Sequence, residues 1–384
     1  MKNPPNKKLL WVIHEGNLSG ANMALLEYFE VLKEMNFEIQ VISPSKGSFV
    51  DQLIEKEYSV SIVPFYPWTR KLDEPHFNRG IFKRSLRNLI AAIQTIKRTK
   101  GLDAICTNTL CVNLGQLVAI LSRKPHYLFV HEFGEEDHDF KLALPTRLSY
   151  RLSAFFSKAI VLNSEAIREK WRNNIGENQK LQLLYNIVNH NEPENLQGRE
   201  DLKEKEVSKK LLMLGQVSPG KGHFEAVEAI CKLRDEIKDV SLDIIGNAPD
   251  EMYLNSLKKY IEGINMQKYV KVLTPVPNPY KIFGRYRALL MCSRQEAFGR
   301  VTVEALKAGL PVIGRNTGGT PEIIEDGVNG FLYDDKDPDS IIDSLKNMFF
   351  IDKEGYDQLC ANAELTRKKY NVEKAREQLI HIFQ

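Results

Sequence analysis

Three short segments in the second half of the chain carry residue types that could hold an anionic, hydroxyl-rich ligand. The first, Ser218-Pro219-Gly220-Lys221-Gly222, stands directly behind the apolar run Leu211 to Val217. Its two glycines let the backbone approach a ligand closely. Lys221 adds a mobile cation at the opening of a helix, where free N–H groups and the dipole favour an anion. Alone, such a turn reads equally well as a bland surface lysine. The second segment, Ser293 to Ala305, is richer: Glu296 lies on a loop, Gly299 opens a helix whose first amides belong to Arg300 and Val301, and Glu304 falls within the first turn or two. Two carboxylates eight residues apart suit two hydroxyl-rich groups on either side of a phosphate, because a carboxylate accepts two hydrogen bonds from a vicinal diol. The plainer alternative is a helix-start acid at Glu304 and an exposed loop acid at Glu296. The third, Asn316 to Glu322, offers Thr320 as an N-cap with Pro321 at the first helical position, and with them a second set of amides for the same ligand.

Two segments of the first half have comparable chemistry. Glu15-Gly16-Asn17-Leu18-Ser19-Gly20-Ala21 follows a strand and opens a helix, without the Gly-x-Gly-x-x-Gly spacing of a dinucleotide fingerprint. His131-Glu132-Phe133-Gly134-Glu135-Glu136-Asp137-His138-Asp139 follows another strand; Glu135, Glu136 and Asp137 could orient hydroxyls of a ligand, or form an ordinary solvated loop. Two Asp-x-Asp strings raise the question of a metal. Asp337-Pro338-Asp339 reads as a helix cap, whereas Asp137-His138-Asp139 could gather a divalent ion with His131. A cation is unnecessary where Lys221 and helix amides balance a phosphate, so the expectation is a site with no metal and no cofactor.

These loops need a scaffold, and the rest of the sequence supplies one. Short apolar runs alternate with amphipathic stretches, the pattern of parallel sheets with helical crossovers. In the first half strands are predicted at Lys8 to His14, Glu38 to Ser43, Ser59 to Pro64, Ala104 to Asn108, Tyr127 to His131, Ala159 to Leu162 and Gln182 to Tyr185. Ala21 to Met35 and Asn113 to Ser122 are the clearest helices there. A second series follows: strands Leu211 to Val217, Ser241 to Ile245, Val270 to Leu273, Leu289 to Cys292 and Pro311 to Gly314, with helices His223 to Ile237, Met252 to Ile264, Val301 to Ala308 and Pro321 to Glu325. The polar, charge-rich stretch between the two series reads as a linker. The expected class is α/β, with two doubly wound parallel-sheet lobes facing a cleft and ligands beyond the carboxyl ends of the strands. The expected domains are residues 1–190, a linker 191–210, residues 211–366, and a terminal helix within 367–384 returning to the first lobe.

Lys221 behind a strand, Glu-x7-Glu from Glu296 to Glu304, and the run EALKAGLPVIGRNTGGTPEIIEDGVNGFL together resemble the retaining GT-B glycosyltransferases of family four. The resemblance is dense from Leu211 to Tyr333 and thinner before it. It implies transfer of a sugar from a nucleotide-diphosphate sugar, UDP-linked by expectation, to a glycan, a lipid-linked glycan or a protein. Lys221 and the amides of Arg300 and Val301 would neutralise the diphosphate, Glu304 would hold the ribose and Glu296 the sugar. Thr274 and Val276 would lie beside the base, with Phe298 and Gly299 completing the donor loop. Gly16 and Gly20 match the family's N-terminal glycine loop, where acceptor and phosphate meet, and His131 matches a histidine near the donor sugar. Catalytic roles then fall to Glu296, Lys221 and His131, and acceptor contacts to Ser19, Glu135 and Asp137. One departure stands out: Gln216 replaces the family's usual arginine, for which Arg294 or Arg300 could compensate. A non-catalytic partner subunit of the same fold, or a sugar-nucleotide epimerase, are the competing readings.

Composition narrows the partners. With 43% hydrophobic and 27% charged residues and a net charge of +3, the chain has the profile of a folded soluble protein without an enveloping nucleic-acid partner. Five scattered cysteines, with no Cys-x-x-Cys pair, read as reduced thiols. No stretch approaches the ~20 apolar residues of a membrane span. The expected location is cytoplasmic, with a peripheral place at the inner membrane face left open by one segment. From Arg79 to Lys100 seven basic residues and no acidic one accompany Leu86, Leu89, Ile90, Ile93 and Ile96 at helical spacing. Either that stripe packs the helix onto the protein, or the segment meets an anionic membrane or acceptor.

Overall fold

The computed structural model describes residues 7–71, 79–138, 140–188, 209–334, 336–337 and 339–383. The predicted linker, apart from its last two positions, lies outside them, as does Asp139 of one Asp-x-Asp string and Pro338 of the other. The chain divides into two compact units, one formed by Met1–Ile187 with Asn371–Gln384 and the other by Val188–Tyr370.

The first unit runs β1 (Lys8–Val12), α1 (Gly20–Glu34), β2 (Glu38–Ser43), α2 (Ser48–Glu55), β3 (Ser59–Ile62), β4 (Thr69–Lys71), α3 (Arg79–Arg98), β5 (Ala104–Asn108), α4 (Leu114–Ser122) and β6 (His126–Val130). It continues with α5 (Glu135–His138), β7 (Phe140–Leu142), α6 (Thr146–Phe156), β8 (Ala159–Leu162), α7 (Glu165–Ile175) and β9 (Leu181–Leu183). Seven strands form one parallel sheet in the order β3-β2-β1-β5-β6-β8-β9, and β4 pairs with β7 in a small antiparallel ribbon. Every crossover in the large sheet carries a helix or a long connection, as parallel pairing requires. Alternate side chains of β1 serve two cores: Leu9 and Trp11 pack with α1 and α2, Leu10 and Val12 with α3 and α4.

The second unit runs β10 (Lys210–Leu214), α8 (His223–Leu233), β11 (Ser241–Ile245), α9 (Glu251–Gly263), β12 (Val270–Leu273), α10 (Tyr280–Phe283), β13 (Ala288–Met291), α11 (Arg300–Lys307), β14 (Val312–Arg315) and α12 (Thr320–Ile323). It closes with β15 (Gly330–Tyr333), α13 (Ser340–Phe350) and α14 (Lys353–Glu364). Its parallel sheet has the order β12-β11-β10-β13-β14-β15. The final helix, α15 (Val372–Phe383), packs on the first unit. There the Phe383 ring lies 4.9 Å from that of Tyr127, and the Phe383 carbonyl accepts from Lys7 Nζ at 2.8 Å.

Each sheet starts from a central strand and reverses direction once, between β1 and β5 and between β10 and β13. Adjacent loops part at such a reversal and leave a crevice beyond the carboxyl ends of the strands. The predicted strand through Val217 stops at Leu214 because Val217 N–H leaves the ladder for the Asn247 carbonyl, 2.7 Å away on the loop after β11.

Helix α3 corrects one of the two readings of its sequence. Most of the Leu/Ile stripe does not hold it to the protein: Leu86, Leu89, Ile90 and Ile93 are exposed and only Ile96 packs against the core, while Asn88, Ala91, Ala92 and Thr95 are buried. Small side chains let α3 approach α4 closely. Asn88 adds an anchor, accepting from Tyr66 N at 2.9 Å and donating to the Tyr66 carbonyl at 2.8 Å.

Candidate active site

The three loops singled out in the second unit converge beyond β10, β13 and β14, and backbone hydrogen bonds stitch them together. Arg294 N–H donates to the Gly220 carbonyl at 2.8 Å, and Gly319 N–H to the Glu296 carbonyl at 2.7 Å. Thr317 Oγ1 donates to the Arg294 carbonyl at 2.9 Å. Two glycines make this approach possible. Gly222, at φ +73°, would place a Cβ 2.2 Å from the Cys292 carbonyl oxygen, and Gly318, at φ +58°, would place one 2.4 Å from that of Glu296. Both positions combine positive φ with a backbone neighbour that cannot yield, which leaves room for no larger residue.

Charge is organised on this frame. Lys221 Nζ lies 2.9 Å from Glu296 Oε2, so a cation from the loop after β10 meets a carboxylate from the loop after β13, across the reversal point. Gly222 and Gly299, both in left-handed conformation, cap α8 and α11 without side-chain bonds to the first amides. At the second of these helix starts stand Arg300 and Val301. One turn on, Glu304 Oε1 lies 4.0 Å from Arg300 Nη2. Behind the loops, burial first and then the Lys221 charge push the His223 imidazole down to about 4.

The remaining donor candidates occupy different surroundings. Gln216 and Arg294 are exposed on the same two loops, and Thr274 and Val276 follow β12 at the sheet edge. Phe298 is buried, its ring 5.4 Å from that of Tyr370 in an edge-on contact, so this side chain builds the loop from inside. Sequence reasoning does not find Arg315 and Glu225. The former ends β14 at the same carboxyl edge, is buried, and hydrogen bonds through Nη2 to Glu225 in the first turn of α8. A basic residue directly behind a predicted strand is the available signal.

In the first unit the glycine loop lies beyond β1. Gly16 packs against the 45–46 backbone, where a Cβ would fall 2.5 Å from the Ser45 carbonyl oxygen, and its own carbonyl accepts from Phe49 N–H at 3.0 Å. Ser19 caps α1, its hydroxyl accepting from Asn22 N–H at 3.4 Å, and Gly20 is the exposed first residue of that helix. A hydrogen bond from His14 Nε2 at 2.9 Å holds the Glu15 carboxyl below the usual range. Beyond β6, His131 Nε2 donates to Asn108 Oδ1 at 2.8 Å.

Glu132, unassigned from sequence, is buried beside His131. It accepts from the amides of Leu110 and His131, and burial pushes its carboxyl up. Asp137 accepts from Phe133 N–H at 2.8 Å and Gly134 N–H at 2.6 Å, while Glu135 pairs with Lys141 at 2.8 Å. These acids shape their own loop. Among the described residues no His, Cys, Asp and Glu side chains form a group with metal-ligand geometry.

Comparison with known proteins covers nearly the whole chain in two matches. Residues 18–192 match the model for Glycosyltransferase Family 4, and residues 196–365 that for Glycosyl transferases group 1. An uncharacterized glycosyltransferase of Methanocaldococcus jannaschii is 24% identical over 96% of this chain and 95% of its own length. The N-acetyl-alpha-D-glucosaminyl L-malate synthase of Bacillus anthracis is 25% identical over 43% of this chain and 43% of its own. The first curated relatives are matched over less than half their length, 43–45%. The crystal structure of Anabaena HepE with UDP and glucose superposes with a TM-score of 0.78 at 19% identity, covering 98% of this chain and 99% of that one. Two doubly wound units in the same strand order, matched in turn by the two family models, place the chain among the group 1 glycosyltransferases of the GT-B fold.

Proposed function

We propose that this protein is a retaining glycosyltransferase that takes a sugar from a UDP-linked donor and passes it to a glycan, a lipid-linked glycan or a protein. The observation that carries the reading is the Lys221–Glu296 pair across the reversal point of the second sheet, beside the start of α11, where the cap is Gly299 and no side chain takes the first amides. The uridine diphosphate choice is supported by HepE, of the same fold and solved with UDP and glucose.

Breaking the bond between sugar and phosphate loads negative charge onto the departing nucleotide while the sugar becomes oxocarbenium-like, and donors already aimed at that charge lower the barrier. In this proposal Lys221 and the amides of Arg300 and Val301 are those donors, so the chemistry calls on no metal and no cofactor. Glu304 accepts from the ribose hydroxyls and Glu296 from hydroxyls of the sugar. Thr274 and Val276 flank the base, Gln216 and Arg294 stand at the diphosphate, and Phe298 and Gly299 fix the loop. Retention follows from attack on the face the phosphate leaves, with the leaving phosphate oxygen taking the acceptor's proton; Glu296 positions the sugar and forms no covalent bond to it. His131 serves the donor sugar, Gly16 and Gly20 admit the phosphate, and Ser19, Glu135 and Asp137 serve the acceptor.

Titration calorimetry of the intact protein with uridine and guanosine diphosphates, followed by a screen of radiolabelled nucleotide sugars for transfer or hydrolysis, tests the proposal. The expected result is binding of uridine diphosphate and turnover of one UDP-sugar. Absence of binding to either nucleotide would favour a non-catalytic partner subunit instead.

A further inference from the structure

Helix α3 presents three sectors to three environments. Asn88, Ala91, Ala92 and Thr95 face the protein at 0–2% exposure, whereas Phe82, Leu86, Leu89, Ile90 and Ile93 are 38–73% exposed. At ~100° per residue those five side chains fall within an arc of roughly 100°; Lys83, Arg87 and Arg98 line one border of it, and Lys97 falls within it one turn beyond Ile93. Such an arrangement contributes little to folding, since much of the apolar arc stays in water. A cluster of large apolar side chains in water marks a surface that meets something else.

The neighbouring helices extend the pattern. Helix α4, which packs between α3 and α6, leaves Ile120 and Leu121 exposed, and α6 leaves Leu148, Phe155 and Phe156 exposed. None of the three helices contains an Asp or a Glu, while α6 adds Arg147 and Arg151. Acids stand on the flanking elements, Glu135, Glu136 and Asp137 on α5 and Glu165 and Glu169 on α7, and on the opposite face of the sheet α1 alone has Glu27, Glu30 and Glu34. Tyr66 stands at the margin, 36% exposed, its hydroxyl accepting from Arg87 Nη1 at 3.2 Å. An amphipathic ring beside a guanidinium is suited to a boundary between apolar and aqueous phases.

We infer that the α3/α4/α6 face docks on an anionic lipid surface, the apolar arc entering the boundary between headgroups and acyl chains and the basic border meeting lipid phosphates. Charge decides the occupant. A second copy presenting the same face would bring the basic borders together, and a nucleic-acid backbone would leave the aliphatic arc unused. Anionic lipid satisfies both sectors at once. The inference stands apart from the proposed transfer reaction, because membrane binding asks nothing of donor or acceptor.

Flotation of the intact protein with vesicles of phosphatidylcholine, alone or mixed with phosphatidylglycerol, tests it. The protein is expected to float with the anionic vesicles, far less with the neutral ones, and less in raised salt. Leu86→Gln/Ile90→Gln/Ile93→Gln and, separately, Lys83→Glu/Lys97→Glu should each lower the bound fraction at least about tenfold at unchanged melting temperature. Should the first variant fail to fold, the second carries the test. Absence of flotation, equal flotation on neutral vesicles, or flotation indifferent to both variants would overturn the inference, as would light scattering showing a dimer that the glutamine variant dissociates.

Discussion

Both units are built on the same strand order, yet the loops beyond their carboxyl ends spend polar groups differently. In the second unit, backbone hydrogen bonds among residues 220, 294, 296, 317 and 319 fix the frame, and the charged side chains pair with one another, Lys221 with Glu296 and Arg300 with Glu304. In the first, Glu15 pairs with His14 and Glu135 with Lys141, but two acids are consumed by the backbone: Asp137 by the amides of Phe133 and Gly134, Glu132 by those of Leu110 and His131. A side chain paired with another side chain can exchange its partner for a ligand, whereas one that caps two amides cannot leave without exposing them. On the proposed reading the pairs of the second unit can open for a charged ligand, whereas Asp137 and Glu132 stay with the loop they shape.

The sharpest way to break this contrast is to remove the mobile cation. Lys221→Ala should lower turnover by roughly 100- to 1,000-fold under saturating donor, the usual cost of losing one donor aimed at developing charge. Normal turnover in that variant would show that Lys221 faces no leaving group. Asp137→Ala should act on the loop instead, lowering the melting temperature more than nucleotide affinity. The next largest effect concerns the frame itself. Gly222→Ala sets a methyl 2.2 Å from the Cys292 carbonyl oxygen at a φ of +73°, and the steric and backbone penalties together should cost about 2–4 kcal/mol of stability. A denaturant melt reads this directly, and an unchanged midpoint would mean that the loops are not held together as described.

A third test treats the units evenly, since each buries a neutral imidazole. Burial pushes His126 down to about 3 in the first unit, and burial with the Lys221 charge pushes His223 down to about 4 in the second. A base whose folded pKa is depressed contributes stability that is whole above its unfolded value, ~6.5, and is lost as pH falls toward the folded value. Between about pH 7 and pH 5 each histidine should therefore cost on the order of 2 kcal/mol. Urea melts of His223→Gln should show that loss roughly halved, and a loss undiminished in the variant would assign the acid sensitivity elsewhere.

The contrast also separates what can be read in the sequence from what cannot. The second unit's loops are legible because their glycines, lysine and acids at fixed offsets behind apolar strands resemble a known family, and the structure brings those three loops together. Strands β2, β5, β8, β11 and β12 fall at their predicted limits, each an apolar run closed by turn residues. The ribbon of β4 and β7 escapes prediction because three-residue strands such as Thr69–Lys71 carry no period to detect. Helix α3 is predictable as a helix but not in its orientation, since periodicity says which residues share a face and not which face is covered. Glu132 goes unmarked because an acid after a strand reads as solvated, and only the fold supplies the two amides that bury it.

The smallest predicted effect is also the most discriminating, because it tests the two acids of one motif against each other. Glu304 lies in the second turn of α11 beside Arg300, and Glu296 on the loop beside Lys221. If the former grips the ribose and the latter the sugar, Glu304→Ala should weaken uridine diphosphate binding about tenfold, ~1.4 kcal/mol, with turnover largely retained at saturating donor. Glu296→Ala should leave uridine diphosphate affinity nearly intact and lose turnover, because its partner hydroxyls belong to the sugar and are absent from the nucleotide alone. Calorimetry with the nucleotide and initial rates with the UDP-sugar, made on both variants, yield a two-by-two outcome. The crossed pattern, affinity lost with Glu296 and turnover lost with Glu304, would place the sugar at the helix and the ribose at the loop, and would reverse the direction in which the donor lies across the second sheet.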